Sequence, residues 1–260
     1  LLDGAQEDGL YVKETDAGRF HIEPDVTQAI VKASKLKTEG DIRDATTRIL
    51  FPYHAVNGST KIIPERRMKA EFPEAYRYLE SIRHRLDARD RGKPNPVAWY
   101  AFGRSQGLRS NFGRKLLTSG LNLASNFLLC EDPAVTFYAG YCVQTDAEDL
   151  RVLQKILNSP LMDYYIHQTS RSYQQGYKSY AKAYTRRFAI PYLRDAEREF
   201  VLGVTDPGEL VSMLLGKYGL ELDAHPSLRC YLESSAKMSE PLQAYAATPA
   251  PSEPSESQLW

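Results

Sequence analysis

Short apolar or β-branched runs alternate along this 260-residue chain with stretches of helical spacing. GLYVK (9–13), RFHI (19–22) and TRILFPY (47–53) are bounded by Gly, Asp or Pro and predict strands. Gly58 in VNGST predicts a hairpin into KIIP (61–64). Pro64 and Pro73 each predict the first residue of a helix, where a missing N–H costs nothing. After Pro73, Tyr76, Leu79, Ile82 or Arg83, and Leu86 recur at helical spacing as far as Gly92. Arg77, Arg83, Arg85, Arg89 and Arg91 fill the other face of that helix. VAWYAF (97–102) predicts a return to strand, and RKLLTSG (114–120), NFLLC (126–130) and AVTFYAGYCV (134–143) predict three more.

At Thr145 the period changes. Thr145 and Glu148 predict a capping box before an apolar face of Leu150, Leu153, Ile156 and Leu157. Ser159 with Pro160 opens a second helix, and Asp206 with Glu209 opens another that Gly219 ends. From Pro241 the chain is rich in Pro, Ser and Ala without periodicity, the composition of a disordered tail. The pattern predicts an α+β fold: a twisted mixed β-sheet with packed helices over 1–200, a small C-terminal helical addition over 201–240, and the tail over 241–260.

Charge sharpens this picture. The 33 basic and 33 acidic side chains cancel, but Phe51 to Arg194 holds 22 Lys and Arg against 12 Asp and Glu, between two acidic ends. That asymmetry points to a polyanionic partner. Cys130, Cys142 and Cys230 form no CxxC pair, which suggests neither a zinc site nor a disulfide framework and fits a reduced cytoplasm. No apolar run approaches the ~18 residues that a membrane span needs, and LLDGAQEDG lacks the basic start and apolar core of a signal peptide. The chain begins at Leu1 without a methionine, which reads as a cut through a longer polypeptide.

Several chemistries lack residues that their mechanisms require. There is no GK[ST] for a phosphate loop, and FGRSQG lacks the GxG step of a dinucleotide or S-adenosylmethionine cradle. The Asn/Asp-Pro-Pro-aromatic word of adenine methylation is missing, since the chain has no Pro-Pro. No Asp or Glu is followed at +2 by Lys, which excludes the common PD…D/E-x-K nuclease pattern. GxSxG is absent, and His21, His54, His84, His167 and His225 form no HxH or HxxxH pair. What remains is a basic, aromatic middle in two blocks: the Pro73 helix through Lys115, then Arg171 to Arg194. Arginine forks grip phosphates or read guanine, glutamine reads adenine, and glycine permits close approach to a duplex. Taken singly, each block reads first as solvated surface and packed tyrosine.

Three segments, LFPYHAVNGSTKIIPERRMKAEFPEAYRYLESIRHRLDARDRGK, WYAFGRSQGL and LQKILNSPLMDYYIHQTSRSYQQGYKSYAKAYTRRFAIP, occur in this order. Together they resemble the TaqI-like C-terminal specificity, or target recognition, domain of N6-adenine DNA methyltransferases and fused type IIG restriction-modification enzymes. The resemblance covers about Gly9 to Pro191. It implies a module that grips double-stranded DNA and chooses its sequence. An N-terminal methyltransferase domain of the same polypeptide or complex would bind S-adenosylmethionine and flip and methylate the adenine, so this chain would carry neither cofactor nor catalysis.

The family's aromatic-Gly-Arg-Ser-Gln word falls on Phe102 to Gln106, which implies that Arg104, Ser105 and Gln106 approach bases, with Arg109, Arg114 and Lys115 holding phosphates nearby. Its Ser-Arg, Gly-Tyr and Ile-Pro segment falls on 170–191, which implies DNA contacts from Arg171, Tyr173, Tyr177, Lys178, Tyr180, Lys182, Arg186 and Arg187. Trp99 and Tyr100 are expected in the core beneath the turn. The chain departs from the family around Leu121 to Asn126, so base preference does not transfer. Two other classes stay open: a metal-dependent nuclease using Asp25, Glu39 and Asp41, and a protein-interaction module at Pro207 to Gly219.

Overall fold

Thr27–Lys32 ties the two halves of the chain together. In the computed structural model, which describes residues 1–56, 59–105 and 107–237, this strand pairs antiparallel with Arg48–Leu50 on one side and parallel with Thr136–Tyr138 on the other. Before it, Gln6–Glu7, Leu10–Thr15 and Gly18–Ile22 form an antiparallel meander, and after it Tyr53–Val56 pairs with Ser59–Ile62. The turn of that hairpin, with Gly58, lies outside the described residues. Lys115–Ser119 is the middle strand of a third sheet, antiparallel to both Leu128–Cys130 and Gly140–Val143. Leu121–Asn122 pairs with Lys178–Ser179. The chain is thus α+β, with several small sheets of two or three strands in place of the one twisted sheet that the sequence pattern predicts.

The paired leucines of Lys115–Ser119 explain its position. Leu116 packs on Phe127, Leu129 and Leu153, while Leu117 faces Val31, Cys130 and Phe137, so the strand is covered on both faces. Each such leucine contributes about 1.5–3 kcal/mol on full burial. Gly140 is required where the next strand crosses: a Cβ there would lie 2.4 Å from the Cβ of Ala33 and 2.5 Å from the carbonyl of Thr118.

The long arginine-faced helix predicted after Pro73 is broken into Pro73–Ser81, Arg83–Asp87 and Arg89–Gly92. Its first amides, Glu74 and Ala75, donate to the Glu23 carboxylate at 2.9 and 2.8 Å, a cap supplied from far away in sequence. It ends where Arg89 turns inward, with Asp90 and Arg91 at φ 49° and 63°. VAWYAF is not a strand: 97–102 are turns, held by Arg89 and by the Tyr100 hydroxyl, which donates to the Ile63 carbonyl at 2.6 Å. Leu150–Leu157 is capped by Asp149, which accepts from Arg151 and Val152; the Thr145–Glu148 box does not form because the helix starts at Leu150, beyond both residues, and Glu148 accepts from Arg198 at 2.9 Å instead. Ser159 and Asp206 cap Pro160–Thr169 and Pro207–Tyr218 as their sequence predicts. Val152 and Ile156 turn to a cluster with Leu193, Leu210, Leu214 and Leu228, which seats the C-terminal helices on the far side of Leu150–Leu157.

Candidate functional site

The FGRSQG turn rests on an aromatic base. Phe102 donates its amide to the Tyr53 hydroxyl at 2.7 Å, and its ring lies 5.0 Å from Tyr53 and 5.8 Å from Phe51. Arg89 holds the preceding residues: Nη2 donates to the Trp99 carbonyl at 2.8 Å, Nη1 to Ala101 at 3.0 Å and Nε to Leu86 at 2.8 Å. Burial lowers the Arg89 pKa, but the guanidinium stays charged and works as a three-way clamp. Tyr100 is buried and Trp99 half-buried, the anchoring expected of them. On this support Arg104 and Ser105 are exposed, and Arg104 lies over a cavity of about 180 Å³ lined by Phe51, Phe102 and Phe112. Gln106 lies outside the described residues, and Arg109 is described only as part of the helix Gly107–Ser110.

Beyond that helix the expected phosphate contacts separate. Arg114 pairs with Glu131 at 2.6 Å, and the pair raises the pKa of the arginine while lowering that of the carboxyl. Lys115 is fully enclosed, its Nζ donating to the Gly113 carbonyl at 2.7 Å opposite Cys130. Burial pushes its pKa down, and it cannot reach a phosphate from that position, so it leaves the set of surface contacts expected from sequence.

In the second block, Arg171 to Ser179 forms a tight hairpin. The Tyr173 amide donates to the Tyr177 carbonyl at 2.8 Å and Ser179 to Arg171 at 3.2 Å, around a Gln174–Gly176 turn in which Gln175 and Gly176 have φ of 60° and 83°. Lys178 pairs with Asn122, and its Nζ donates to the Ser172 hydroxyl at 2.7 Å. Arg171 and Tyr173 are exposed. Tyr180 is not: it is wholly buried, its hydroxyl donating to Asp163 at 2.9 Å and lying 3.3 Å from the Ser125 hydroxyl. Burial and the Asp163 carboxylate push its pKa far up. It therefore anchors the hairpin and is corrected from contact to support.

Lys182, Arg186 and Arg187 are exposed on and after the short helix Lys182–Thr185. Lys182 and Arg186 border a groove of about 690 Å³ floored by Val143, Leu153 and Phe188, and Tyr141 and Tyr192 stand at its rim. Arg187 points to a different, apolar cavity of about 300 Å³ with Tyr164, Tyr165 and Tyr218. Among the described residues Arg104, Arg171, Lys182, Arg186 and Arg187 have no carboxylate within ion-pair distance, unlike Arg77, Arg83, Arg114, Arg151 and Arg198. Sequence reasoning missed the Arg89 clamp and the exposed Leu123, Gln174 and Gln175 beside the hairpin. The signal available was the Q-Q-G turn itself, which demands positive φ.

Two of the three carboxylates of the nuclease reading, Glu39 and Asp41, are engaged in structure. Glu39 accepts from Arg151 at 2.6 Å and Gln154 at 2.8 Å, and these bonds outweigh its burial so that its pKa falls. Asp41 accepts from the amides of Lys37 and Thr38 and so caps its helix. Among the described residues no three His, Cys, Asp or Glu side chains gather in a group that could hold a metal ion, and no helix is long and apolar enough to cross a membrane.

With this geometry in place, comparison with known proteins relates the chain to restriction-modification enzymes. Over 177 residues, 61% of its length, it is 24% identical to the type II restriction enzyme and methyltransferase RM.Eco57I of Escherichia coli. It spans only 18% of that protein. No family model matches the chain.

Proposed function

We propose that this chain is the DNA-recognition part of a restriction-modification enzyme of the adenine-methylating kind. Target recognition of the TaqI-like type is its role, and S-adenosylmethionine binding and methyl transfer belong to another domain of the same polypeptide or complex. The observation that carries the reading is where exposed cations without a carboxylate partner among the described residues are held: Arg104 on the clamped turn, Arg171 on the anchored hairpin, and Lys182, Arg186 and Arg187 after it. Exposed cations elsewhere, such as Arg66, Arg85 and Arg91, also have no carboxylate partner among the described residues, so it is the clamped turn and the anchored hairpin beneath them that set Arg104 and Arg171 apart. Free guanidinium groups on rigid supports are suited to phosphates and base edges. Similarity to a restriction enzyme and methyltransferase supplies the context.

The test is selection from a randomised duplex pool by the whole chain, with affinity followed against salt. A recurring motif is expected among the bound sequences. Each neutralised phosphate adds ~0.9 to the log–log salt slope, so four contacts would weaken binding on the order of 10²-fold between 50 and 200 mM salt. Arg104→Ala should cost about 1–3 kcal/mol on the selected sequence and relax its choice. Arg186→Ala should instead weaken all sequences equally and flatten the slope. Absence of duplex affinity at low salt would overturn the proposal.

A further inference from the structure

The pairing of the hairpin with its neighbour puts an apolar row where the sequence shows only scattered residues. Lys178 pairs with both Ser172 and Asn122, and Ser179 pairs with Leu121. One residue further along the same register Tyr173 comes opposite Tyr177, its amide donating to the Tyr177 carbonyl at 2.8 Å, and strand alternation places Leu123 on the same face as both. Ser172, Lys178 and Asn122 face the other way. Leu123 is 52% exposed and Tyr173 46%, whereas Ser179, two residues along the same face, is buried. The turn backs the row directly: a Cβ at Gly176 would lie 3.8 Å from Leu123 Cδ2.

A single exposed leucine needs no explanation. A leucine and two tyrosines aligned at a hairpin tip do, because the backbone behind them is fixed: Tyr180 is pinned to Asp163 and its amide donates to the Gly120 carbonyl at 2.9 Å. The surroundings select the partner. Arg171 is exposed with no carboxylate partner among the described residues, Lys178 lies on the opposite face, Gln174 and Gln175 flank the tip, and no Asp or Glu occurs from Ser170 to Arg194. An apolar edge within a field of cations and amides suits nucleobases reached past a phosphate backbone.

Building on the reading of the chain as a DNA binder, we infer that the Tyr173–Tyr177–Leu123 row is a wedge that enters the duplex and takes the place of stacking between neighbouring bases. Leu123 is the leading apolar edge, Tyr173 stacks, and Tyr177 supports both.

A wedge prefers DNA in which unstacking is already done. The whole chain should bind a mixed-sequence duplex carrying one abasic site about tenfold more tightly than its matched counterpart, with a rise in 2-aminopurine fluorescence beside the lesion. Leu123→Ala and Tyr173→Ala should bring that ratio close to one with little change in melting temperature, since about half of each residue is already in solvent; Tyr173→Trp should keep it. Arg171→Ala should weaken both duplexes equally. Matched-duplex binding with no preference for the lesion, or with row variants that change nothing, overturns the wedge while leaving DNA recognition standing, and assigns the row to a protein face. No duplex binding at all overturns both.

Discussion

Tyr180→Phe keeps the ring against Phe127, with centroids 6.2 Å apart, and removes only the O–H that Asp163 accepts. The expected loss is about 1–3 kcal/mol, read as a lower urea midpoint, because the partly buried Asp163 carboxylate loses a partner. Lys115→Met tests the opposite case. A buried ammonium with a lowered pKa opposes folding below its unfolded value of 10.5, so stability should rise with pH toward that value in the native chain and lose this part of the slope in the variant. Both residues belong to a basic, tyrosine-rich composition that sequence alone assigns to the surface. Their enclosure follows from strand pairing with Cys130 and Gly120, which no residue type announces. Arg104 and Arg171 differ in that nothing packs over them, so their exposure agrees with what the motif suggests.

At the scale of elements, legibility tracks how local the cause is. Ser159 and Asp206 cap their own helices and were readable from three or four residues. The Pro73 helix was readable at its start, but its length depends on Arg89 finding the Trp99 and Ala101 carbonyls, and its cap on Glu23. Glu23→Ala should therefore lower stability by about 1 kcal/mol in a thermal melt, although Glu23 lies in a different segment. Arg89→Ala should cost about 2–3 kcal/mol and loosen the Arg104 turn, visible as faster amide exchange over 99–105. The C-terminal helices are tied by Glu197, which accepts from Arg194 at 2.9 Å and Lys217 at 3.0 Å and has its pKa held at about 2. A depressed carboxyl contributes above its unfolded pKa of 4.5 and loses its contribution as pH falls toward about 2, so the polar tie between Asp195–Gly203 and Pro207–Tyr218 should weaken in that window while their apolar contact stays. Glu197→Gln should flatten that part of the pH dependence when the urea midpoint is followed from about pH 5 down.

For the whole molecule, the α+β class was legible from mixed periodicity, while the division into small sheets was not, because the strand TQAIVK carries no clear alternation and its partners lie far apart. The basic middle and the acidic start, separate in composition, are joined by the parallel pairing of Thr27–Lys32 with Thr136–Tyr138. That pairing also sets a timetable for synthesis. When Thr27–Lys32 leaves the ribosome it can find Arg48–Leu50 at once, but its other edge must wait about a hundred residues, roughly 5–20 s at ordinary rates of translation. During that interval an unpaired strand edge is open to solvent and to other chains. A nascent chain halted before residue 136 should therefore aggregate more readily than one that has reached residue 143, because the arrival of Thr136–Tyr138 covers that edge.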